Sequence, residues 1–484
     1  MCTRQTGIVL KAIALISAGW AVLADAQPEP ALRPNVLFIL TDDQGYGDMS
    51  RHGNPVLKTP NLDRLQDQSV RFTDFCVSSS CSPTRAALMS GKYPLRVGVT
   101  HTISPRHNMD LQVTTLPQLL KRVGYTTACV GKWHLGGDMD DTNPYNPKQR
   151  GFDVQVKNPG YPREDRLFDE AIKFMGSSGA AGKPFFCYLA PWFPHMASSK
   201  DAPEEEMAKF RGLGYSDNTV RFLAMVSNID KNVGRIIGWL DRQPFATNTV
   251  VVAMNDNGGT QGIDIWNAGM RGCKCTAWPG GARAFSFWRW PAKWRPRDVD
   301  ALTAHLDVLP TLADLAGVQD LEKQAPGLDG HSLRALLEGR SDAWFNDRMV
   351  LQHNARWGSG FAALHKERMA GVRWRQYLLV NSSPCGNPEC SKDSQCTALR
   401  RVADGATVAT YTTNAPFHWG LTPGARWALY DLQQDWACQS NRFEQSPEIA
   451  GRLLQAYDKW WDAIYPEMLA AGGDVPLDKR KEKK

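Results

Sequence analysis

The stretch Cys81-Ser82-Pro83-Thr84-Arg85 runs directly into Ala86-Ala87-Leu88-Met89-Ser90-Gly91-Lys92-Tyr93. Pro83 stands where a helix begins and Ala86 to Met89 are good helix formers, so the spacing predicts Cys81 at or just before a helix N-terminus. Unpaired backbone N–H groups at such an end favour an anion, and Arg85 adds a fixed positive charge. Together these residues describe a nucleophile presented to an anionic substrate. A lone cysteine in that place is more often a buried structural thiol.

Two acidic sets could hold a cation. Asp42-Asp43 follows the apolar run Asn35 to Thr41, and Asn255-Asp256-Asn257-Gly258-Gly259 follows Thr249 to Met254. Adjacent carboxylates at the end of a central strand repel each other unless a cation neutralises them, although a solvated acidic turn has the same letters. Asp256-Asn257-Gly258-Gly259 alone reads as a β-turn. Taken together the four residues offer only oxygen donors, which suits a hard cation, with Ca2+ preferred over Mg2+ because irregular carboxylate and amide geometry is easier for it.

The elements that must position these groups are legible from periodicity. Asn35–Thr41, Tyr125–Val130, Phe185–Ala190 and Thr249–Met254 are short apolar runs, read as buried strands. Each leads into a polar cluster: Asp42-Asp43, then Gly131-Lys132-Trp133-His134, then Pro191-Trp192-Phe193-Pro194-His195, then Asn255-Asp256-Asn257. Helical stretches such as Leu116–Val123 and Thr219–Leu240 lie between them, which predicts an α/β fold built on a doubly wound, mostly parallel sheet. Ligands bind at the carboxyl ends of such strands, where all four clusters fall.

The pentapeptide and its Ala-Ala-Leu-Met-Ser-Gly-Lys-Tyr continuation resemble the signature of the formylglycine-dependent sulfatases, in the alkaline phosphatase superfamily. The likeness runs from about Pro34 to Leu429-Tyr430-Asp431-Leu432. It implies that Cys81 is oxidised to formylglycine by a maturation enzyme, and that Asp42, Asp43, Asp256 and Asn257 hold one Ca2+ together with the modified Cys81. It implies that Lys132 and Lys274 clamp the sulfate, that Arg85 pairs with the nucleophile and the metal-side carboxylates, that His134 takes a proton from the nucleophile, and that His195 serves the leaving alcohol. The sequence departs from the pattern at Cys273 and Cys275, where the family usually has glycines, and at Pro279-Gly280-Gly281-Ala282-Arg283. The two cysteines could form a strained link or meet the substrate. The implied reaction is sulfate monoester hydrolysis, with phosphonate or phosphate ester hydrolysis open within the same superfamily. An unconverted sulfated-glycan-binding protein is a third reading.

With 484 residues the chain can bury a large core. Residues 1–26 carry Arg4, Lys11, an apolar run and Ala24-Asp25-Ala26, the layout of a signal peptide; the expected location is periplasmic or extracellular. A main domain is expected over 30–345 and a smaller antiparallel α+β domain over 346–470, closing with a helix from Pro447 to Met468. A basic tail follows over 471–484. The net charge of +6 is scattered, which excludes a nucleic-acid footprint, and past residue 26 no stretch is long and apolar enough to span a membrane. Cys385, Cys390, Cys396 and Cys438 suggest disulfides in an exported chain. Trp357, Trp419 and Trp427 are candidates for stacking on a sugar, with His353 and Arg356 at the pocket rim. A sulfated carbohydrate is the expected substrate class, ahead of an aryl sulfate.

Overall fold

The computed structural model describes Met1 and residues 33–137, 140–157, 164–195, 202–383 and 427–477. Its strands in chain order are β1 (Asn35–Thr41), β2 (Val70–Phe72), β3 (Phe75–Cys76), β4 (Thr126–Gly131), β5 (Val154–Val156), β6 (Phe185–Ala190), β7 (Thr249–Asn255), β8 (Arg283–Ala284), β9 (Ser286–Arg289), β10 (Arg297–Val299), β11 (Thr303–Ala304), β12 (Met349–His353), β13 (Ala370–Trp374), β14 (Tyr377–Asn381) and β15 (Ala428–Asp431). Eight of them form one sheet in the order β10-β2-β9-β7-β1-β6-β4-β5. The centre is parallel, β1 lying between β6 and β7, and β9 alone runs against both its neighbours. All seven residues of β1 and of β7 are buried, as expected where helices cover both faces.

The helices used below are α1 (Pro60–Asp67), α2 (Cys81–Ser90), α3 (Leu116–Arg122), α4 (Glu164–Ala180), α5 (Glu204–Met207) and α6 (Asp217–Leu240). Two apolar clusters sandwich the sheet. One joins Phe38, Leu40 and Val252 to α2 and α3; the other joins Leu37, Ile39 and Val251 to α4 and α6. Alternate residues of β1 therefore serve opposite layers, as strand geometry requires. The stretch His305–Gly317, expected as one helix, opens with a 3-10 turn over His305–Asp307 and continues as a helix over Val308–Leu315.

A smaller antiparallel sheet, β12-β13-β14-β15, packs with the closing helix Pro447–Ala470. A third cluster binds it to the main layer: Ala87, Tyr93 and Leu95 meet Val350, Trp357, Trp460 and Trp461. Among the described residues no helix is long and apolar enough to cross a membrane. Residues 2–32 and the basic end from 478 lie outside the described residues, as do Cys385, Cys390, Cys396 and Trp419.

Candidate active site

Sheet register assembles the site. Thr41 lies level with Asn255, so the next residues, Asp42 and Asp256, emerge side by side, and Asp256 N–H donates to Thr41 O at 3.0 Å. Gly131 lies level with Ala190, which brings Lys132 and His134 beside the turn that carries His195. Helix α2 begins at Cys81 with Ser80 extended ahead of it, and Arg85 follows one turn on; all ten residues of α2 are buried.

The four expected oxygen donors converge. Asp43 N–H donates to Asp256 Oδ1 at 3.1 Å, and Asn257 Nδ2 donates to Asp43 Oδ1 at 2.9 Å. Ligand atoms of Asp42, Cys81 and Asp256 lie within 4.8 Å of one another, and so do those of Asp42, Asp43 and His195. Asp42 Oδ1 and Asn257 Oδ1 are buried with no hydrogen-bond partner among the described residues. Buried acceptors without a donor are costly, and a hard cation would satisfy both. The donor set therefore fits a bound metal ion.

Three cations face these three carboxylates. Arg85 Nη2 donates to Asp256 Oδ2 at 2.8 Å and lies 3.9 Å from Asp42 Oδ1, while its Nη1 donates to Lys132 O at 2.8 Å and to Tyr188 Oη at 3.3 Å. Lys132 Nζ pairs with Asp42, and Lys274 Nζ spans both Asp43 oxygens at 2.5 and 2.6 Å. Burial pushes the Asp42 carboxyl up, but Lys132, His195, Arg85 and Lys274 outweigh it and hold it well below the usual range. Burial, then the charge of Asp42, pushes Asp256 up to about 7 against the pull of Arg85. Burial also raises the Cys81 thiol, so the unmodified side chain is a poor thiolate here.

Both histidines stand at the edge. His134 Nε2–H donates to Thr102 O at 3.0 Å, which leaves Nδ1 as a buried lone pair with no partner among the described residues. His195 Nε2 lies 3.8 Å from Asp43 Oδ2. Burial, reinforced by Lys132, lowers both rings, His195 to about 4, so both are neutral near neutral pH. Asp43, His134 and Cys275 have φ of 63°, 61° and 68°. Side chains rarely adopt that region, and its appearance at three positions around one site marks strain held by the fold.

Several supporting residues gave no sequence signal. Glu164, at the start of α4, accepts from the N–H groups of Trp192 and Phe193 and so holds the turn that carries His195. Trp192 lies 5.1 Å from Lys132 Nζ in a cation–π contact. Thr102 and Tyr188 likewise came from outside the motifs. Other expectations change. Trp357 is fully buried against His353, His365 and Trp461, so it offers no open face to a sugar, while Trp427 is half-buried with one edge contact to Tyr457. His353 is taken up by Trp357, Trp461 and His365 O, while Arg356 is buried and reaches Thr102 Oγ1 at 2.5 Å. Cys273 and Cys275 are buried free thiols, as is Cys438.

The comparisons agree with this architecture. The family model described as Sulfatase matches residues 34–318. Arylsulfatase J of Mus musculus is 29% identical over 412 residues, covering 74% of this chain and 67% of that protein. N-acetylgalactosamine-6-sulfatase of Sus scrofa is 30% identical over 383 residues, covering 68% and 70%. Among solved structures, Ps i-CgsB in complex with k-i-k-neocarrahexaose superposes with a TM-score of 0.72 at 22% identity, over 93% of this chain and 96% of that one. With this fold, this cluster of residues and these relatives, the chain belongs to the sulfatase family of the alkaline phosphatase superfamily and is a sulfuric ester hydrolase.

Proposed function

We propose that this chain hydrolyses sulfate monoesters on a carbohydrate, using a formylglycine hydrate made from Cys81 and one Ca2+ held by Asp42, Asp43, Asp256 and Asn257. The observation that carries the reading is charge balance around a buried Cys81: three carboxylates face three cations, and two buried acceptors lack donors. A divalent ion would turn this neutral set positive, which suits an anionic ester. When bound, the cation polarises the ester as a Lewis acid and the hydrate supplies the attacking hydroxyl.

The chain's own residues do the rest. Lys132 and Lys274 hold the sulfate oxygens as charge builds on them. Arg85 donates to Asp256 Oδ2 and lies along the helix that presents residue 81. His134 Nδ1 has the free lone pair to take the proton of the attacking hydroxyl, its tautomer set by Thr102 O. His195, held by the Glu164 turn, hydrogen-bonds the leaving oxygen as a neutral ring. Export to the periplasm or outside the cell follows from the composition of residues 1–26, and a formylglycine-generating enzyme is the partner required.

The test is the mass of the tryptic peptide Phe72–Arg85 from protein made in its native host. An aldehyde at residue 81, with the thiol of Cys76 in the same peptide intact, is expected. A plain cysteine at 81 would overturn the nucleophile. Comparison of aryl sulfate, phosphate and phosphonate esters then fixes the ester, with sulfate expected to turn over fastest; a faster phosphorus ester reassigns the reaction.

A further inference from the structure

We infer that Asn354, the residue directly after β12 of the smaller sheet, is a positioning residue that holds Lys274 against the site. This rests on the role just proposed for Lys274. The dipeptide Lys274-Cys275 is a junction of three segments. Lys274 N–H donates to Gly259 O at 3.1 Å, two residues beyond Asn257, and Cys275 N–H donates to Ser79 O at 2.7 Å, two residues before Cys81. The third attachment comes from Asn354, whose Nδ2 donates to Cys275 O at 2.5 Å.

That third bond has work to do. Cys275 is held at φ 68°, where a residue with a Cβ is strained and relaxes when freed. Its carbonyl is the group that Asn354 grips, so the bond acts on the strained peptide itself. Asn354 is 5% exposed, and its Oδ1 has no hydrogen-bond partner among the described residues. A buried amide with one side unsatisfied is unfavourable unless the other side is needed. The donor to Cys275 is that other side.

Asn354 is itself anchored. Its N–H donates to Met369 O at 2.8 Å, and the carbonyls of Ala355 and Trp357 accept from buried Arg106 at 3.1 and 2.7 Å. Arg356 donates to Thr102 Oγ1, on the residue whose carbonyl fixes His134. The segment 354–357 thus braces the Lys274 loop directly and the His134 loop through Thr102. The smaller sheet is part of the scaffold of the reaction centre.

The experiment compares Asn354→Ala, Cys275→Gly and the double variant in the full-length, matured enzyme. Asn354→Ala should lower kcat/KM for an aryl sulfate by about 10²-fold, the usual cost of misplacing a catalytic group by an ångström. Glycine adopts left-handed φ without strain, so adding Cys275→Gly should recover most of that loss. A double variant as slow as Asn354→Ala would overturn the inference. Hydrogen exchange of the peptide containing residues 274 and 275 reads the same point without turnover. Faster exchange of the Cys275 amide in Asn354→Ala supports the brace; unchanged exchange refutes it. If the parent enzyme cleaves no sulfate ester, the proposed reaction fails while exchange still decides the positioning. Should Asn354→Ala not fold, Asn354→Asp, equal in shape but without the donor, is read in its place.

Discussion

At the scale of single residues, the cluster works by matching buried charges, and each member has a measurable share. Lys132→Ala and Lys274→Ala should each lower kcat/KM for a sulfate ester by about 10²–10³, since each removes a preorganised stabiliser of developing charge. Each also leaves a buried carboxylate, Asp42 or Asp43, without its closest cation. His195→Ala should slow esters with poor leaving groups far more than activated aryl sulfates, because only the former need help at the leaving oxygen. A Brønsted series of aryl sulfates measures this, and equal losses would remove the role. Asp48 offers a test of linkage away from the reaction. Burial pushes its carboxyl up to about 7 from the ordinary 3.8, despite the bond from Gly45 N–H. The fold therefore holds a proton that the unfolded chain has lost, and stability falls as pH rises from about 4 to 7 and levels above. Asp48→Asn removes that decline. Its Tm advantage over the parent should grow through this window and then stay constant.

At the scale of elements, close backbone approach sets the loops. The carboxyl-end loop of β7 carries Asp256 and Asn257 and lies against the segment around Gly280; a Cβ on Gly258 would sit 1.9 Å from Gly280 O. Gly258 N–H donates to Gly281 O at 2.9 Å, so the loop has no freedom to move aside. Gly258→Ala should shift Asn257 and weaken metal binding as well as lower Tm. Calcium titration followed by calorimetry checks both, and a variant with parental Ca2+ affinity would show that the contact is slack. The helix α2 is placed by a different force: all its residues are buried, so packing against α3 and the 3-10 turn His305–Asp307 fixes where Cys81 begins.

At the scale of the whole molecule, the two sheets are joined by apolar packing and by polar ties. Arg96 pairs with Asp329 of the main layer and with Glu467 of the closing helix, at 3.1 and 2.6 Å. Those pairs are partly exposed and contribute little by themselves. The buried contacts of Trp357, Trp460 and Trp461 with Tyr93 and Leu95 matter more. Calorimetry of the full chain should show one unfolding transition, and a chain cut after residue 345 should be insoluble or loosely folded. Two separate transitions, or a stable truncated main layer, would show the sheets to be independent.

The sequence alone determined the four central strands β1, β4, β6 and β7, because a run such as Val36 to Leu40 is apolar at every position and buries wherever it lies. It also determined which residues stand at the carboxyl ends: Asp42-Asp43, Lys132, His134, His195 and Asp256-Asn257 each lie within five residues of a strand's end. Local pattern suffices for a strand end, and the signature around Cys81 marked the start of α2. The tertiary structure decided the rest. Whether Asp42 meets Asp256 depends on register between strands more than two hundred residues apart. Glu164, Thr102, Tyr188 and Asn354 carry no motif, since each acts through hydrogen bonds whose partners are distant in the chain. Trp357 looked available from its polar neighbours and is enclosed, because exposure is a property of the packed cluster and not of adjacent letters.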